Sequence, residues 1–595
     1  MGPWFRALWL VAGCAGETGE SGKDGDAGGE SGGPGGRDSD DSVGDSEPDS
    51  AGGIGDSAAD TAECVETAWY RDSDGDGVGR DEPPTWACEP PSGHVANHLD
   101  CDDEHALARP GAFDRPLDGV DGDCDRQFGV TDIRSAPTWR FRGEADSEEW
   151  SSGHVGNSLA TGDFTGDGRA DIVVGTAGNW YGGDSRQSGA TFVFSGPLRA
   201  ARAAQSRDEA AASLLLADDD EAEFLCAVPD VDGDGNPELA VANPYNGEHV
   251  NAGVVYVVDT PLSGFVDVPA VARTFRGHHD NANLGPCAAG DFDGDGLGDL
   301  VLTSMYEHVG QDTLGRVYLM LGPIQHDDID EAELILEGAF NDEALGASVV
   351  NAGDVDGDGA PDFVLTTAAN TKDDSDMVAY LLTDKPSGVV EAASVAAVLD
   401  YTTGSESGTM QLTAGQVGDI NGDGYADVGI GEDSDGESFW VLAGPISSGA
   451  TRVVSDDYLA RFYSLSLGES KLTTAARLGD WNGDGEAADD FALANMHFEP
   501  ATAPPERECG SLDHACWAGA VFIVAGPVAP GTYDLERQAD RLEMPYLWAV
   551  FGHALAGGAD LDADGSPDLA VGAPQHDEGA AYVVFGGGDA LPPAH

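Results

Sequence analysis

The sequence predicts an all-β fold made of repeated four-stranded units, and three observations support this. An acidic nine-residue loop recurs seven times, with successive first residues 67, 61, 63, 65, 61 and 80 positions apart. Short apolar runs bounded by Gly and Pro flank the loops, as in Asp299-Leu-Val-Leu-Thr303, and such runs are typical of buried strands. Gly accounts for 84 of the 595 residues, which suits a fold with many tight turns.

The sequence pattern predicts four strands in each repeat. One strand introduced by Gly precedes the loop, as in residues 345–351 or 551–556, and one follows it directly. A third strand comes next, as in residues 315–321, and a fourth resembles residues 333–337 or 272–276. Four antiparallel strands in about 65 residues, seven times over, predict a seven-bladed β-propeller of four-stranded blades over residues 136–590.

The order of strands also predicts how the ring closes. The repeats begin with a strand of the fourth type at residues 138–142 and end with one of the third type at residues 580–585. Pairing of these two strands would complete the last blade and remove an exposed edge. We therefore expect them to lie side by side.

The acidic loops carry the chemistry of a calcium site. Each places side-chain oxygens at positions 1, 3, 5 and 9 and a backbone carbonyl at position 7, and Ca²⁺ accepts six to eight oxygen ligands. An EF-hand would need a Glu at position 12, but that position is apolar in all seven loops: Val174, Val241, Leu302, Leu365, Ile430, Phe491 and Val571. The loops therefore predict calcium-binding turns between strands.

The predicted ligands are Asp163, Thr165, Asp167 and Asp171; Asp230, Asp232, Asp234 and Glu238; Asp291, Asp293, Asp295 and Asp299; Asp354, Asp356, Asp358 and Asp362; Asp419, Asn421, Asp423 and Asp427; Asp480, Asn482 and Asp484; and Asp560, Asp562, Asp564 and Asp568. Two loops depart from the pattern. Thr165 is a neutral ligand, and the sixth loop has Ala488 at position 9, with Asp489 and Asp490 displaced by an insertion. We expect these two sites to be the weakest of a total of six to eight Ca²⁺ ions.

One repeat resembles a known family along its whole length. Phe551-Gly552, the loop Asp560 to Asp568, and Gly572-Ala573-Pro574 followed by Gly579-Ala-Ala-Tyr-Val-Val584 look like one FG-GAP repeat. This is the unit of the propeller in integrin α subunits and in many bacterial surface proteins. The resemblance covers residues from about 138 to 588 and implies a calcium-binding, often adhesive propeller, although fold alone does not give function.

The N-terminus has the features of an export signal. Arg6 precedes the apolar residues 7–11, and Val11-Ala12-Gly13-Cys14 resembles the lipobox of bacterial lipoproteins, which implies a signal peptide at residues 1–13 and lipidation of Cys14. An ordinary secretory signal is the alternative. Residues 14–60 are rich in Gly, Ser and acidic side chains and predict a disordered linker. We expect an exported outer-membrane lipoprotein, at the cell surface or in the periplasm.

We expect residues 61–130 to form a separate small module that is stabilised by disulfides and metal. Its segments Asp72-Ser-Asp74-Gly-Asp76, Asp100-Cys-Asp102 and Asp118-Gly-Val-Asp-Gly-Asp123-Cys124 resemble the metal-binding repeat of MopE-like bacterial surface proteins. The alternating carboxylates Asp72, Asp74 and Asp76 favour Ca²⁺. Copper, which the family label suggests, prefers imidazole or sulfur, and His94, His98 and His105 are the nearby histidines.

Eight cysteines follow Cys14. Cys64, Cys88, Cys101 and Cys124 lie in the module, where three pairings are possible. Cys226 and Cys287 each lie four residues before an acidic loop, on equivalent strands of neighbouring blades, so a bridge between blades is expected and two free buried thiols are the alternative. Cys509 and Cys516 lie in the insertion of the sixth repeat and could close a small loop.

The charge excludes some functions. With 28 basic and 109 acidic residues, the formal net charge is −81, so nucleic acid is not an expected partner, and membrane contact would come only through the N-terminal lipid. The sequence lacks a Gly-x-Ser-x-Gly elbow between a strand and a helix, a His-Glu-x-x-His helix and a nucleotide loop, so we expect no enzyme.

The loops at the end opposite the acidic loops carry aromatic and His residues: Glu149, Trp150, His154, Trp180, Tyr181, Tyr245, His249, His278, His279, Tyr306, His308, His497 and Phe498. They could form a ligand surface, or they could simply pack long loops together. The expected function is a lipid-anchored, calcium-binding surface protein that binds an extracellular protein or carbohydrate through this rim. The alternatives are an extracellular propeller hydrolase or lyase, and a structural envelope or calcium-buffering protein.

Overall fold

The structure is a computed structural model. It describes residues 67–73, 78–80, 83–98, 129–133, 136, 138–143, 154–177, 190–200, 204–217, 221–245, 250–341, 343–369, 377–401, 410–432, 438–464, 472–498, 517–544, 546, 549–576 and 579–587. In these ranges, no helix has the length and apolar character needed to cross a bilayer. The predicted signal peptide, the linker and Cys14 lie outside the described residues.

The described residues form an all-β protein in which seven large sheets follow one another along the chain, sheet 1 to sheet 7. The first strands are Val155–Gly162, Phe224–Val228, Leu284–Gly290, Val349–Gly353, Met410–Gly418, Leu472–Gly479 and Leu555–Ala559. The second strands are Asp171–Thr176, Glu238–Asn243, Asp299–Ser304, Asp362–Thr366, Asp427–Glu432, Asp490–Asn495 and Asp568–Ala573. The third strands are Ala190–Phe194, Val254–Val258, Arg316–Met320, Met377–Leu382, Ser438–Leu442, Ala520–Val524 and Ala580–Val584.

Each sheet is completed by a fourth strand. In sheets 1 to 6 it comes from the same repeat: Ala212–Leu215, Arg273–Arg276, Leu334–Glu337, Ala397–Tyr401, Ala460–Tyr463 and Asp540–Glu543. In sheet 7 it is Thr138–Arg142, which pairs antiparallel with Ala580–Val584. The closing pairing expected from the sequence is therefore confirmed.

The sheets follow one another in a cycle. The first strand of each sheet contacts the first strand of the next sheet, and the first strand of sheet 7 contacts that of sheet 1. The apolar core lies between neighbouring sheets, as where Val255 of sheet 2 packs with Leu300 of sheet 3. The last interface joins Phe141 and Ala581 of sheet 7 to Ile172 of sheet 1. This arrangement is consistent with a β-propeller.

The second and third strands explain why these sheets stack face to face. Every residue of Asp299–Ser304 is buried, and so is every residue of Ala520–Val524. Strands buried on both faces read as continuous apolar runs rather than as an alternation of apolar and polar residues. The apolar runs of the sequence therefore correspond to strands with a neighbouring sheet on each side.

The first strands begin later than the sequence suggests. The predicted strand at residues 551–556 is replaced by Leu555–Ala559, and the predicted strand at 345–351 by Val349–Gly353. Gly346 and Gly552 have φ values of +90° and +91°. A Cβ on Gly552 would lie 2.7 Å from the Ala494 Cβ, so these glycines form tight turns against the neighbouring sheet before the strand starts.

The sequence analysis did not predict a fifth strand in five of the sheets. In four cases the segment between a third and a fourth strand reaches back to the preceding sheet and pairs parallel with its fourth strand, as Gly264–Asp267 does with Ala212–Leu215. In the fifth case the strand precedes Thr138–Arg142 in the chain. The other fifth strands are Gly388–Glu391, Thr451–Val453, Gly531–Asp534 and Val130–Asp132. One-turn helices follow four of these strands: Val268–Val271, Ala392–Val395, Val454–Asp457 and Leu535–Gln538.

Short elements complete the fold. Two 3₁₀ helices span Arg207–Glu209 and Ile329–Glu331, His308–Val309 pairs with Asp312–Thr313, and Ala368–Ala369 pairs with the start of Met410–Gly418. In the N-terminal module, Thr67–Arg71 lies between Thr85–Ala87 and His94–Val95 in a small sheet.

One of the expected disulfides is present. Cys226 and Cys287 are bonded, with their Cα atoms 6.3 Å apart, and they join the first strands of sheets 2 and 3. Cys88 is also disulfide-bonded. Cys64, Cys101, Cys124, Cys509 and Cys516 lie outside the described residues, so their pairings stay predictions.

Candidate metal centres

The seven acidic loops all join a first strand to a second strand and therefore lie at the same end of their sheets. Their turns need left-handed backbone at positions 4 and 6. In the third loop these are Gly294 and Gly296, with φ values of +74° and +93°. In the seventh loop Ala563 takes position 4 with a φ of +63°, a conformation that Ala adopts at some cost.

Backbone hydrogen bonds hold the carboxylates in place. In every loop the carboxylate at position 5 accepts a hydrogen bond from the N–H at position 7, as Asp295 does from Leu297 at 2.8 Å. In six loops the carboxylate at position 1 accepts from the Gly N–H at position 6, as Asp291 does from Gly296 at 2.9 Å. The second loop lacks this bond among the described contacts.

The carboxylate at position 9 starts the second strand and is buried. In Asp299, one oxygen accepts from the Phe292 N–H at 2.7 Å and the other from the Gly322 N–H at 2.9 Å. Gly322 lies just after the third strand, so this carboxylate connects the acidic loop to the end of the adjacent third strand. Four further glycines donate in the same way: Gly196, Gly444, Gly526 and Gly586.

Burial has an electrostatic consequence at position 9. It raises the pKa of Glu238, Asp362, Asp427 and Asp568 to about 7 and that of Asp299 to about 6, and it raises the pKa of Asp171 as well. Removal from water disfavours the charged carboxylate, and the other carboxylates of the loop add to this effect. A bound cation would favour the charged form instead.

The sixth loop has its position-9 carboxylate after all. Asp490 accepts from the N–H groups of Trp481, Asn482 and Gly526 at 2.9, 3.1 and 2.8 Å, the same set of bonds that Asp299 makes in the third loop. Two additional residues in the loop shift this role from Ala488 to Asp490. The expectation that the sixth loop lacks this carboxylate is therefore wrong, because the second strand starts at Asp490 and not at Ala488.

The additional Asp489 of the sixth loop joins two sheets. Its Oδ2 accepts from the Asp419 N–H and from the Arg477 Nε, both at 2.8 Å. Asp419 is position 1 of the fifth loop, so the insertion connects the fifth and sixth loops directly.

Four loops bring at least three carboxylate oxygens within 4.8 Å of one another. They are formed by Asp230, Asp232, Asp234 and Glu238; Asp291, Asp293 and Asp295; Asp354, Asp356 and Asp362; and Asp560, Asp562 and Asp564. In the first, fifth and sixth loops, position 3 is Thr165, Asn421 or Asn482, which leaves fewer carboxylates to cluster. Asp72 of the N-terminal module is described, whereas Asp74 and Asp76 lie outside the described residues.

The second loop shows that these oxygens suit a cation. Asp230 Oδ1 and Glu238 Oε1 are buried and have no hydrogen-bond partner, and Glu238 is fully buried. A buried carboxylate oxygen without a partner is costly, and a divalent ion bound by oxygen ligands would remove that cost.

At the opposite end, the described His residues make local contacts. His279 Nε2 lies 3.1 Å from Oε1 of the buried Glu307, and His308 Nδ1 lies 3.3 Å from Thr313 Oγ1. His278 lies 3.7 Å from both Asp328 and Asp330, and this trio is a further cluster of possible ligand atoms. His497 stacks on Trp517 with ring centroids 4.0 Å apart.

The structure describes only some of the other residues predicted for this rim. His154, Tyr245, Tyr306 and Phe498 are described, and burial raises the pKa of Tyr306. Glu149, Trp150, Trp180, Tyr181 and His249 lie outside the described residues.

Comparison with protein families matches the FG-GAP repeat at residues 155–194, 223–258, 288–320 and 551–584. The chain contains FG-GAP repeats. The four matched segments contain acidic loops one, two, three and seven with their flanking strands. A metal-binding motif of the Cu-binding MopE type matches residues 100–128, which lie outside the described residues.

Among curated proteins, integrin alpha-V of Gallus gallus is 29% identical over 256 residues, which is 40% of this chain and 20% of the integrin. The chain thus spans about a fifth of the length of this relative. Among solved structures, a crystal structure of BBS1N in complex with ARL6DN, soaked with lead, has 10% identity and a TM-score of 0.37. That match covers 77% of this chain and 98% of the solved chain.

Proposed function

We propose that this chain is an extracellular, calcium-binding, seven-bladed β-propeller that is anchored through a lipid on Cys14 and binds a protein or carbohydrate on the face opposite the acidic loops. Three features support the proposal: the FG-GAP repeats, the relationship to an integrin α chain, and the cycle of contacts between first strands. The extracellular location also agrees with the disulfide between Cys226 and Cys287.

The single observation that carries calcium binding is the second loop. Four acidic side chains converge there, and two of their buried oxygens have no protein donor. Extracellular calcium modules bind with dissociation constants of about 10⁻⁴–10⁻³ M, so millimolar Ca²⁺ adds roughly 1 kcal/mol of stability per site. Several such sites together would be comparable with the whole stability of a domain.

Thermal unfolding of the full chain in Ca²⁺ and in excess chelator tests this proposal. We expect a markedly lower melting temperature in chelator. Glu238→Gln should reduce the calcium-dependent increase by about one site's share, roughly 1 kcal/mol. Asp208→Asn removes an exposed carboxylate that belongs to none of the acidic loops, and it is the matched control. A melting temperature that is the same in Ca²⁺ and in chelator would mean that the loops are turns without a metal.

The proposed ligand face is opposite the acidic loops, where His279, Tyr306 and His308 lie on neighbouring connections. A glycan array and a surface-protein pull-down with the full chain would identify a ligand. We expect His279→Ala with His308→Ala to reduce its binding. Absence of any ligand that depends on this face would favour a structural or calcium-buffering role.

One contact on that face keeps an enzymatic alternative open to test. The imidazole of His279 is about half exposed, while its Nε2 faces the buried Glu307 carboxylate. A His oriented by a buried carboxylate is an arrangement that general bases use. A hydrolase or lyase would lose turnover of a polysaccharide substrate in Glu307→Gln while keeping its calcium-dependent stability.

A further inference from the structure

In each position-9 carboxylate, one oxygen accepts a hydrogen bond from the N–H at position 2 or 3 of the loop. The loops differ in the group that faces the other oxygen. In loops one, three, five, six and seven it is the N–H of a glycine that follows the third strand. In the second loop the oxygen has no partner. In the fourth loop the third strand is followed by Thr383-Asp384-Lys385-Pro386, and a lysine ammonium replaces the neutral glycine N–H.

Lys385 is largely buried and lies next to the position-9 carboxylate of the fourth loop. Its side chain is only 13% exposed, and its Nζ lies 3.7 Å from Oδ1 of the fully buried Asp362. That Oδ1 has no hydrogen-bond partner, while Oδ2 accepts from the Val355 N–H at 2.8 Å. The chain has only four lysines, at positions 23, 372, 385 and 471, and Lys385 is the one within the described residues.

We infer that Lys385 is a tethered cation that weakens divalent-ion binding at the fourth loop and keeps this loop assembled when calcium is scarce. The inference rests on the proposed calcium function of the loops. Asp354, Asp356 and Asp362 bring their oxygens within 4.8 Å of one another, so an ion bound there would lie close to the ammonium. Like charges at such distances repel strongly inside a protein.

The same ammonium has the opposite effect on the empty loop. Without a divalent ion, the carboxylates of an acidic loop repel one another, and this repulsion opposes the folded loop. In the fourth loop the positive charge on Lys385 offsets part of that repulsion at Asp362, a carboxylate that would otherwise be buried without a counter-charge. The third loop has four Asp residues at the same positions but a neutral glycine at the equivalent place, so it is the natural comparison.

Hydrogen exchange measured by mass spectrometry over a series of free Ca²⁺ concentrations tests this inference loop by loop in the full chain. In the native sequence, peptides covering residues 354–366 should become protected at a higher Ca²⁺ concentration than peptides covering residues 291–303. Lys385→Met should lower the midpoint for the fourth loop by about tenfold or more, because it removes one charge beside the site. The midpoint for the third loop should stay unchanged, and Lys385→Arg should behave like the native chain.

The outcomes separate the two ideas. If neither the third nor the fourth loop gains protection on addition of Ca²⁺, the calcium function itself is wrong. If the third loop responds but the two midpoints are equal in the native chain, the inference about Lys385 is wrong, and no variant is needed to show it. If Lys385→Met leaves the fourth-loop midpoint in place while the third loop responds normally, the inference is also wrong. Protection of residues 291–303 in the same sample shows that the variant has folded.

Discussion

At the scale of single residues, the carboxylates of an acidic loop have two separate tasks. Those at position 5 are exposed, those at position 3 are exposed or half-buried, and both are held by short-range bonds within the loop, as Asp295 is by the N–H of Leu297. The carboxylate at position 9 is buried and accepts backbone hydrogen bonds from its own loop and from the segment that follows the third strand, as Asp299 does from Phe292 and Gly322. We therefore expect position 9 to contribute to folding even without a metal, whereas the exposed positions would act mainly through a bound ion.

This division predicts unequal effects within the sixth loop. Asp490→Ala should leave three backbone N–H groups without their acceptor and should destabilise the chain by about 2–4 kcal/mol, in chelator as well as in Ca²⁺. Asp484→Ala, at an exposed position, should cost less than about 1 kcal/mol in chelator. Urea unfolding in chelator measures both. Equal, small effects of the two variants would contradict the structural role of Asp490.

The residues of the candidate sites could be predicted only where the contact is local. Positions 1, 3 and 5 lie within a few residues of one another, so spacing alone identified them. Asp490 was missed because the insertion changes the count, although the run Asp490-Phe-Ala-Leu-Ala-Asn495 matches the strand that follows every other loop. The contact of Lys385 with Asp362 depends on a different connection of the sheet, and no pattern in the sequence indicates it.

At the scale of elements, neighbouring sheets are joined by polar contacts as well as by the apolar core. Asn157 on the first strand of sheet 1 donates to Glu223, just before the first strand of sheet 2, at 3.1 Å. Burial raises the pKa of Glu223 from 4.5 to about 7, with the nearby Glu221 adding to the effect and Asn157 opposing it. We therefore expect the contact between these two sheets to depend on pH.

The sign of this effect can be predicted. The folded chain holds the Glu223 proton more tightly than the unfolded chain, so the stabilisation is full below pH 4.5 and is lost as the pH rises through about 7. Glu223→Gln should remove this part of the pH dependence and raise stability at pH 7.5 by about 1–3 kcal/mol. Urea unfolding from pH 4.5 to 7.5 in saturating Ca²⁺ measures it. A variant with the native pH profile would show that another group is responsible.

The covalent link between sheets 2 and 3 gives a second prediction at this scale. Cys226→Ser combined with Cys287→Ser should destabilise the chain by about 2–4 kcal/mol, because the bond closes a loop of 61 residues in the unfolded state. The urea midpoint of the non-reduced variant, compared with the native chain, measures this cost. An unchanged midpoint would mean that the apolar contacts of this interface suffice.

The fifth strands show where the prediction of elements ended. Four strands per repeat follow from apolar runs, but Gly264–Asp267 has three exposed residues out of four and reads as a loop. Its partner is the fourth strand of the preceding sheet, which is distant in sequence. Such a strand forms because the edge strand of the preceding sheet offers free backbone groups for pairing. The composition of the segment itself therefore does not reveal it.

At the scale of the whole molecule, the first and last described segments of the repeats depend on each other. Removing residues 1–143 should expose the edge of Ala580–Val584, whose five residues are all buried, and should also remove Val130–Asp132 from sheet 6. We expect a lower melting temperature and self-association that increases with concentration. Sedimentation and thermal unfolding measure these effects.

A matched pair of controls makes this prediction specific. Removing residues 1–128 takes away the N-terminal module but keeps both strands, so stability should stay near that of the full chain. Adding a peptide of residues 129–143 to the shorter chain should restore its melting temperature. Failure of that peptide to bind would contradict the role of these strands in closing sheet 7.

The sequence could predict this closing contact, although its two strands are far apart in the chain, because the contact follows from counting the strands of each repeat. Seven loops fixed the number of second strands, and the surplus fourth-type strand at the start matched the missing one at the end. The bounds of individual strands were less accurate, as at residues 551–556, because Gly at a turn and Gly at a strand start look alike. Periodicity thus constrains the global arrangement better than it constrains local boundaries.

The same pairing determines the order in which a growing chain can complete its structure. Thr138–Arg142 leaves the ribosome early, but its partner Ala580–Val584 is made about 440 residues later. Sheets 1 to 6 have their first four strands in order behind it, whereas sheet 7 stays incomplete until translation is nearly finished. A product that stops short of Ala580 therefore keeps an unpaired strand at its beginning and an uncovered sheet face at its end. We expect proteases to cleave such an incomplete chain at both places.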